Sequence, residues 1–391
     1  MHIALLCFGI SSIANVSGTE RVFVEMANAL TERGHVIYSI WNDEPGVTPF
    51  YNFQSSVHQI NLGLGKIKVP FQYKVLRELN KGLHINAVNR VDKYKTERLC
   101  CKLKENLDIK NIDVVICFEF NSVMVANRLF KGQVPIITMV HASVKDQIAS
   151  LTPLQRKEAS KVDMYQVLMP SFVEEAKALI ATNVCCIPNV VPQVEDCEVA
   201  DLREVKNTYK ILLVGRIEKY RKRPFVAIQA FAKLANKFSN WELCYYGPIM
   251  DAEYKNEIDR FVLDHDLQEK VIYGGIVKQP KKILKDGDIF AFPSSEEGFG
   301  LALAEANAMG IPGIGFAYAR GVNELIVDGK TGYLANNEEE YIKKMEKLMV
   351  NKALRVQMGL AAREEMKKYA PDKIWKKWED LCVLVTKSHE K

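Results

Sequence analysis

No run of about 18 consecutive apolar residues occurs in this 391-residue sequence, so no segment is fitted to cross a bilayer as a helix. The opening stretch MHIALLCFGI has neither a basic beginning nor a long apolar core with a cleavage site, so no secretory leader is expected. Nine cysteines are present, an odd number that includes the vicinal pairs Cys100-Cys101 and Cys185-Cys186, but no C-x-x-C or zinc-like spacing occurs. That usage points to a reducing compartment and to no structural metal. The G-x-G-x-x-G pattern is also missing, which removes the fingerprint of a nicotinamide dinucleotide fold. Repeats and low-complexity tracts are absent. The expected location is the cytoplasm, with attachment to a membrane only from outside, as a peripheral protein on its inner face.

What is present is an ordinary globular composition, 48% hydrophobic and 26% charged. The length exceeds the roughly 250 to 300 residues that one core serves, so two domains are expected. Short Val- and Ile-rich runs recur in two series. The first holds HIALLCFG, VIYSIW, VVICFE, IITMVH, YQVLMP and VCCIP; the second holds ILLVGR, WELCYYG, VIYGG, DIFAFPS and IPGIGFA. Helical stretches such as Glu20 to Arg33 and Pro224 to Lys237 fall between the runs. Near-continuous apolar strands alternating with helices indicate parallel sheets covered on both faces, hence an α/β chain with two doubly wound, Rossmann-like domains facing a cleft. The polar, patternless stretch between the two series sets the boundaries: a first domain over 1–190, a linker over 191–209 and a second domain over 210–370. Residues 371–391 read as an amphipathic helix with Ile374, Trp375, Trp378, Leu381 and Val385 on one stripe, expected to pack back on the first domain.

The net charge of +5 is modest, but residues 65–104 concentrate cations, among them Lys66, Lys68, Lys74, Arg77, Lys81, Arg90, Lys93, Lys95, Arg98, Lys102 and Lys104. Such a field selects an anionic partner without naming it: an anionic membrane surface, a phosphorylated acceptor or nucleic acid. The same charges also suit a solvated helical face. Phe71, Tyr73 and Tyr94 form no stacking motif, which argues against nucleic acid.

In open α/β sheets, ligands bind beyond the carboxyl ends of the strands. Five such places carry chemistry-bearing residues. Gly18, in NVSGTE, opens a helix where backbone N–H groups could approach an anion, although a tight turn explains it as well. His141 follows the run IITMV and fits a structural or a catalytic role. Arg216, Arg221, Lys222 and Arg223 follow ILLVG; Arg216 suits bidentate phosphate contact, and Lys222 supplies a point charge. Val277 lies just after Gly274 and Gly275, where backbone could meet a planar base. In SSEEGFGLALAEANAMGIP, Glu297 precedes a helix opened by Gly298 and Gly300, and Glu305 sits inside that otherwise apolar helix. A carboxylate buried there needs donors, which two vicinal ribose hydroxyls or an arginine would supply.

At these positions the sequence resembles the retaining GT-B fold glycosyltransferases of family 4, the glycosyltransferase group 1 enzymes. Glu297 and Glu305 resemble the E-x7-E pair, GRIEKYRK the G-R…K diphosphate grip, NVSGTE the amino-terminal G-G-x-E turn and TMVHAS the strand-histidine segment. Ser17 stands where the first glycine of that turn is usual, and Ala319-Arg320-Gly321 where a double glycine is common. The resemblance implies that Arg216 and Lys222 bind a donor diphosphate, that Glu305 holds the ribose, and that Glu297 contacts the donor sugar. It implies substrate contacts for Gly298, Phe299, Gly300 and Leu301, backbone contact of Val277 with the base, Gly18 near the phosphates and His141 beside the reacting sugar. His141 and Glu297 are thus the expected catalytic residues, with no metal and no other cofactor.

The implied reaction moves a sugar from a nucleotide diphosphate donor, a UDP-sugar by preference, to a hydroxyl of a glycan or lipid-linked acceptor, with retention at the anomeric carbon. The implied setting is bacterial cell-envelope polysaccharide assembly, and the enzyme would be a hexosyltransferase. With no evident covalent nucleophile, front-face attack is expected. A nucleotide-sugar 2-epimerase or hydrolase of the same fold is the alternative, recognisable by turnover of donor without acceptor. No nucleic-acid partner is expected; anionic membrane contact would run through residues 65–104.

Overall fold

The structure is a computed structural model that describes residues 1–73, 75, 90–180, 182–277 and 279–389. The chain divides into two compact units, Met1–Pro188 with Ile374–Lys391, and Asn189–Lys373.

The strands of the first unit are β1 (His2–Cys7), β2 (Val36–Trp41), β3 (His58–Asn61), β4 (Val114–Cys117), β5 (Ile136–Thr138), β6 (Met164–Val167) and β7 (Val184–Cys186). They form one sheet in the order β3-β2-β1-β4-β5-β6-β7. Every neighbouring pair is parallel, and the central register sets Ile3 beside Ile37 on one side and Val114 on the other. All of β4 and nearly all of β1 are buried, as expected of strands covered on both faces, while the edge strand β3 has no buried residue. The carboxyl-terminal helix Pro371–His389 buries Ile374, Trp375, Trp378, Leu381, Cys382 and Val385. Its Glu379 carboxylate meets His35 Nε2 at 3.2 Å and Arg33 Nε at 3.7 Å, so polar contacts join the apolar stripe in holding it to this unit.

The second unit carries β8 (Tyr209–Val214), β9 (Trp241–Tyr246), β10 (Val271–Tyr273), β11 (Ile289–Ala291), β12 (Gly313–Phe316) and β13 (Gly332–Ala335). Their order is β10-β9-β8-β11-β12-β13, again parallel throughout. The helix expected from Pro224 to Lys237 stops at Ala232, after which Leu234 and Ala235 N–H turn back to Phe231 O. Its first residue follows Arg223, which holds the left-handed conformation at φ 50°. A non-glycine residue there is uncommon, and here it places the guanidinium on the Tyr318 hydroxyl at 2.8 Å and over the Phe316 ring.

The basic stretch is described in part: Lys74, Arg77 and Lys81 lie outside the described residues. In the helix Arg90–Asn106 the apolar side chains Val91, Leu99 and Leu103 are buried, while Lys93, Lys95, Arg98 and Lys104 are exposed. The apolar residues interspersed among the cations therefore serve the core and leave a charged outer face. No helix of the described residues is long and apolar enough to cross a membrane.

Candidate active site

In the second unit, the candidate residues gather beyond the carboxyl ends of β8, β10 and β11. The loop after β8 is tied to the loop after β11: Ser295 N–H donates to Arg221 O at 2.8 Å, and Ser295 Oγ donates to Tyr220 O at 2.9 Å. This tie brings Lys222 Nζ to 2.5 Å from Glu297 Oε1, with only 19% and 12% of the two side chains exposed. The ammonium also lies 5.3 Å from the Phe292 ring centroid. The lysine stem runs past Gly215, where a β-carbon would stand 3.5 Å from its methylenes, an ordinary contact distance. Arg216 points elsewhere, to Glu218 at 3.2 Å, with 43% of its side chain exposed.

Glu297 is held from behind. Its N–H donates to Arg320 O at 2.9 Å, and Gly321, at φ 79°, lets the chain pass so closely that a β-carbon would meet Glu297 O at 2.4 Å. The glycine of the Ala319-Arg320-Gly321 segment thus has a steric cause. Gly300 adopts the left-handed conformation, φ 89°, as the residue before the helix Leu301–Ala308, and no side chain caps that helix. Its first N–H groups thus have no side-chain cap, and the helix begins half-buried at Leu301 and Ala302 after the buried Gly298, Phe299 and Gly300. Two expectations need correction. The Phe299 side chain is 2% exposed and packs edge-on to Tyr369 at 5.2 Å, so it belongs to the core and only its backbone can meet a ligand. Glu305 is half-buried rather than buried, although its Oε1 atom is closed to solvent. It shares a half-buried flank with Leu301 and Ala302, because residues three and four apart lie on one side of a helix.

Val277 is half-buried after β10, beside Ile276, which is 56% exposed. The loops after β9 and β10 are joined by Gly247 N–H to Gly275 O at 2.8 Å. A cavity of about 450 Å³ in this unit lies at the opposite edge, before β8, β11 and β12, lined by Asp201, Lys206, Lys285, Asp286, Gly310 and Arg363. Three of its cations are engaged, Lys206 with Asp288, Lys285 with Cys197 O and Arg363 with Asp196, and none of the candidate residues line it.

In the first unit, β1, β4 and β5 end beside one another. His141 lies three residues beyond β5 and its ring stacks on Phe118 at 5.2 Å and 16°. Its Nε2 is closed to solvent without a hydrogen-bond partner among the described residues. Burial lowers the imidazole to about 4, so the ring is neutral near pH 7. Gly18 is exposed and begins the helix Gly18–Glu32 after Ser17, whose hydroxyl donates to the buried Glu20 carboxylate. Burial raises the Glu20 carboxyl, and the Ser17 bond offsets part of that rise.

Two further carboxylates escaped the sequence reading. Glu119, just past β4, accepts from Phe8 N–H at 2.8 Å and Asn121 N–H at 2.7 Å, and stands where a β-carbon on Gly9 would have to be. Asp43, just past β2, accepts from Ser12 Oγ at 2.7 Å and Ile13 N–H at 2.9 Å. Together they fix the loop that leads to Gly18. The available signal was a carboxylate directly after an apolar run, as in VVICFE and VIYSIWND.

Two parallel sheets of seven and six strands, with the candidate residues at their carboxyl ends, are the fold of GT-B glycosyltransferases. The family model described as Glycosyl transferases group 1 matches residues 195–365, a stretch that falls within the second unit and spans all six of its strands from β8 to β13. The chain is 26% identical over 386 residues to an uncharacterized glycosyltransferase of Haemophilus influenzae, covering 96% of this chain and 98% of that protein. It is 25% identical over 392 residues to the N-acetyl-alpha-D-glucosaminyl L-malate synthase of Bacillus anthracis, covering 96% of each. Among solved structures, it resembles a mutant of Staphylococcus aureus TarM in complex with fondaparinux, alpha-GlcNAc-glycerol and UDP, with a TM-score of 0.75 at 15% identity over 97% of this chain and 99% of that one. The pneumococcal O-GlcNAc transferase GtfA, in complex with UDP and GlcNAc, gives a TM-score of 0.76 at 15% identity over 98% of this chain and 99% of that one. At these identities the structural likeness speaks for the fold alone.

Proposed function

We propose that this chain is a retaining hexosyltransferase that moves a sugar from a UDP-sugar to a hydroxyl of a glycan or lipid-linked acceptor in bacterial polysaccharide assembly. The observation that carries the reading is the meeting of Lys222 with Glu297 four residues before the helix Leu301–Ala308, which has no side-chain cap of its own. Lys222 and Arg216 hold the diphosphate, with Arg216 turning from Glu218 to do so. Glu305 accepts from the ribose hydroxyls, Glu297 from the donor sugar, and the Val277 backbone meets the base. Gly298, Phe299, Gly300 and Leu301 offer backbone N–H groups rather than side chains. UDP is favoured because two of the structural relatives were solved with it.

In the reaction, the bond from the anomeric carbon to the leaving phosphate oxygen breaks while the acceptor oxygen bonds to the same face of that carbon. The acceptor proton passes to the leaving phosphate oxygen. Lys222, Arg216 and the helix N–H groups carry the charge that develops on the diphosphate, which is the task preorganised donors do best. No resident metal or other cofactor is proposed. His141, neutral near pH 7, takes the part of a hydrogen-bonding group on the donor sugar and not that of a cation. Gly18 stands at a helix start suited to the phosphates.

A thermal-shift screen of nucleotides and nucleotide sugars tests the reading directly. UDP and one UDP-sugar should raise the melting temperature, and proton NMR of the product should show the anomeric configuration kept. Stabilisation by no nucleoside diphosphate would sink it, as would an inverted product. Peripheral contact with an anionic membrane is proposed for the exposed Lys66, Lys68, Lys93, Lys95, Arg98 and Lys104; flotation equal on neutral and anionic vesicles would exclude it.

A further inference from the structure

The pair Lys222–Glu297 raises a question of selectivity that the roles above do not answer. A lysine meant for a diphosphate is already neutralised at 2.5 Å, and a ligand must displace that carboxylate to reach it. The backbone of Glu297 is held in place, so any exchange of partners falls to the ends of the two side chains. Glu297 is fixed through its N–H to Arg320 O and by the close approach of Gly321, and the Lys222 stem runs past Gly215 with its ammonium against Phe292. The carboxylate therefore stays near whatever phosphate the lysine accepts.

Donor and product differ there in two respects. A diphosphate esterified to a sugar carries about two negative charges, whereas the free nucleoside diphosphate carries close to three, because a terminal phosphate loses its second proton near pH 6. The donor also brings sugar hydroxyls, which can donate to Glu297 once Lys222 has turned to the phosphate. The product brings none, and leaves Glu297 facing an extra like charge in a half-buried place.

Resting on the donor reading above, we infer that Glu297 is a specificity-determining residue that discriminates the intact nucleotide-sugar from its nucleoside diphosphate product by competing for Lys222. It admits the donor, which replaces the lysine as its hydrogen-bond partner, and expels the product, from which it recaptures the lysine.

Titration calorimetry of UDP on the full chain decides the matter, with folding of each variant checked by thermal denaturation. Glu297→Gln keeps the shape and removes the charge; it should bind UDP on the order of tenfold tighter than the unsubstituted chain, within the usual range of coupling between two sites. The gain should vanish when Lys222→Gln is added, since the competition is for that lysine. Glu297→Ala serves as the second variant if the glutamine form does not fold. Unchanged or weaker UDP binding by a folded Glu297 variant overturns the inference, as does a gain that persists without Lys222. If the folded unsubstituted chain binds neither UDP nor GDP, the donor reading itself is overturned, and this inference with it.

Discussion

Lys222 Nζ and Glu297 Oε1 are bonded to each other at 2.5 Å, although the family resemblance implies a diphosphate for one and a sugar for the other. The bond is made across loops that follow two adjacent strands, β8 and β11. It makes each residue the keeper of the other's charge.

Lys222→Ala should therefore do more than weaken the donor. Removing the ammonium leaves the Glu297 carboxylate, 12% exposed, without its cation, and a deserted buried partner costs roughly 1–3 kcal/mol. The melting temperature should fall by about 2–4 °C for each kcal/mol in a domain of this size. Nucleotide affinity should drop at least about tenfold, a charge-assisted contact being worth about 1.5 kcal/mol or more. Calorimetry of both quantities on one preparation checks this; loss of stability with intact affinity would make Lys222 structural.

Much of the fold is legible in the sequence, with two strands as exceptions. The Val- and Ile-rich runs fall on eleven strands, but β3, HQIN, and β13, GYLA, gave no run: HQIN is largely polar and GYLA holds no β-branched residue, although the equally peripheral β7 and β10 did give one. The unburied β3 has no apolar face to show, while β13 is buried through small and aromatic residues that a search for Val and Ile passes over. The stripe Ile374, Trp375, Trp378, Leu381 and Val385 is buried as its spacing requires. Within the site, glycine spacing marked the turn at Gly300 but could not tell that Phe299 turns inward to Tyr369. The Lys222–Glu297 bond was equally invisible, because it joins residues 75 positions apart. Glu119 and Asp43 were missed because a lone carboxylate after a strand does not say which N–H groups it will reach.

His141 gives a pH prediction. Its folded value is lowered to about 4 from an ordinary 6.5, so the unfolded chain binds the proton first as the pH falls. Stability contributed by the neutral ring is complete above pH 6.5 and is lost toward pH 4, by up to about 1.4 kcal/mol per unit. His141→Gln should flatten the acid side of the stability profile measured by denaturant titration. If the ring bonds the donor sugar, the same variant should lower kcat about a hundredfold without a matching rise in KM.

Glu305 lies on the half-buried flank of its helix, and the ribose contact proposed for it can be tested with a nucleotide lacking one hydroxyl. UDP should bind better than its 2′-deoxy form by about tenfold, because a carboxylate left without its donor loses a bond worth about 1.5 kcal/mol. In Glu305→Ala that preference should collapse to near one. A preference that survives the substitution would assign the ribose to another residue and leave Glu305 to the helix.

Gly321→Ala tests whether the placement of Glu297 depends on the backbone behind it. Two penalties act together: φ is 79°, which a side chain adopts only with strain, and the new β-carbon would stand 2.4 Å from Glu297 O, which cannot rotate away. Left-handed backbone at a non-glycine costs about 1–2 kcal/mol, and the clash adds to it, so stability should fall by at least about 2 kcal/mol. Because the atom struck is the carbonyl of Glu297 itself, relief of the clash must shift that residue and stretch its 2.5 Å bond to Lys222. Donor turnover should then fall further than the population of folded chain accounts for, measured at a temperature where the variant is still more than nine-tenths folded. A variant that is less stable but equally active per folded molecule would show that the loop carrying Glu297 adjusts without moving its carboxylate.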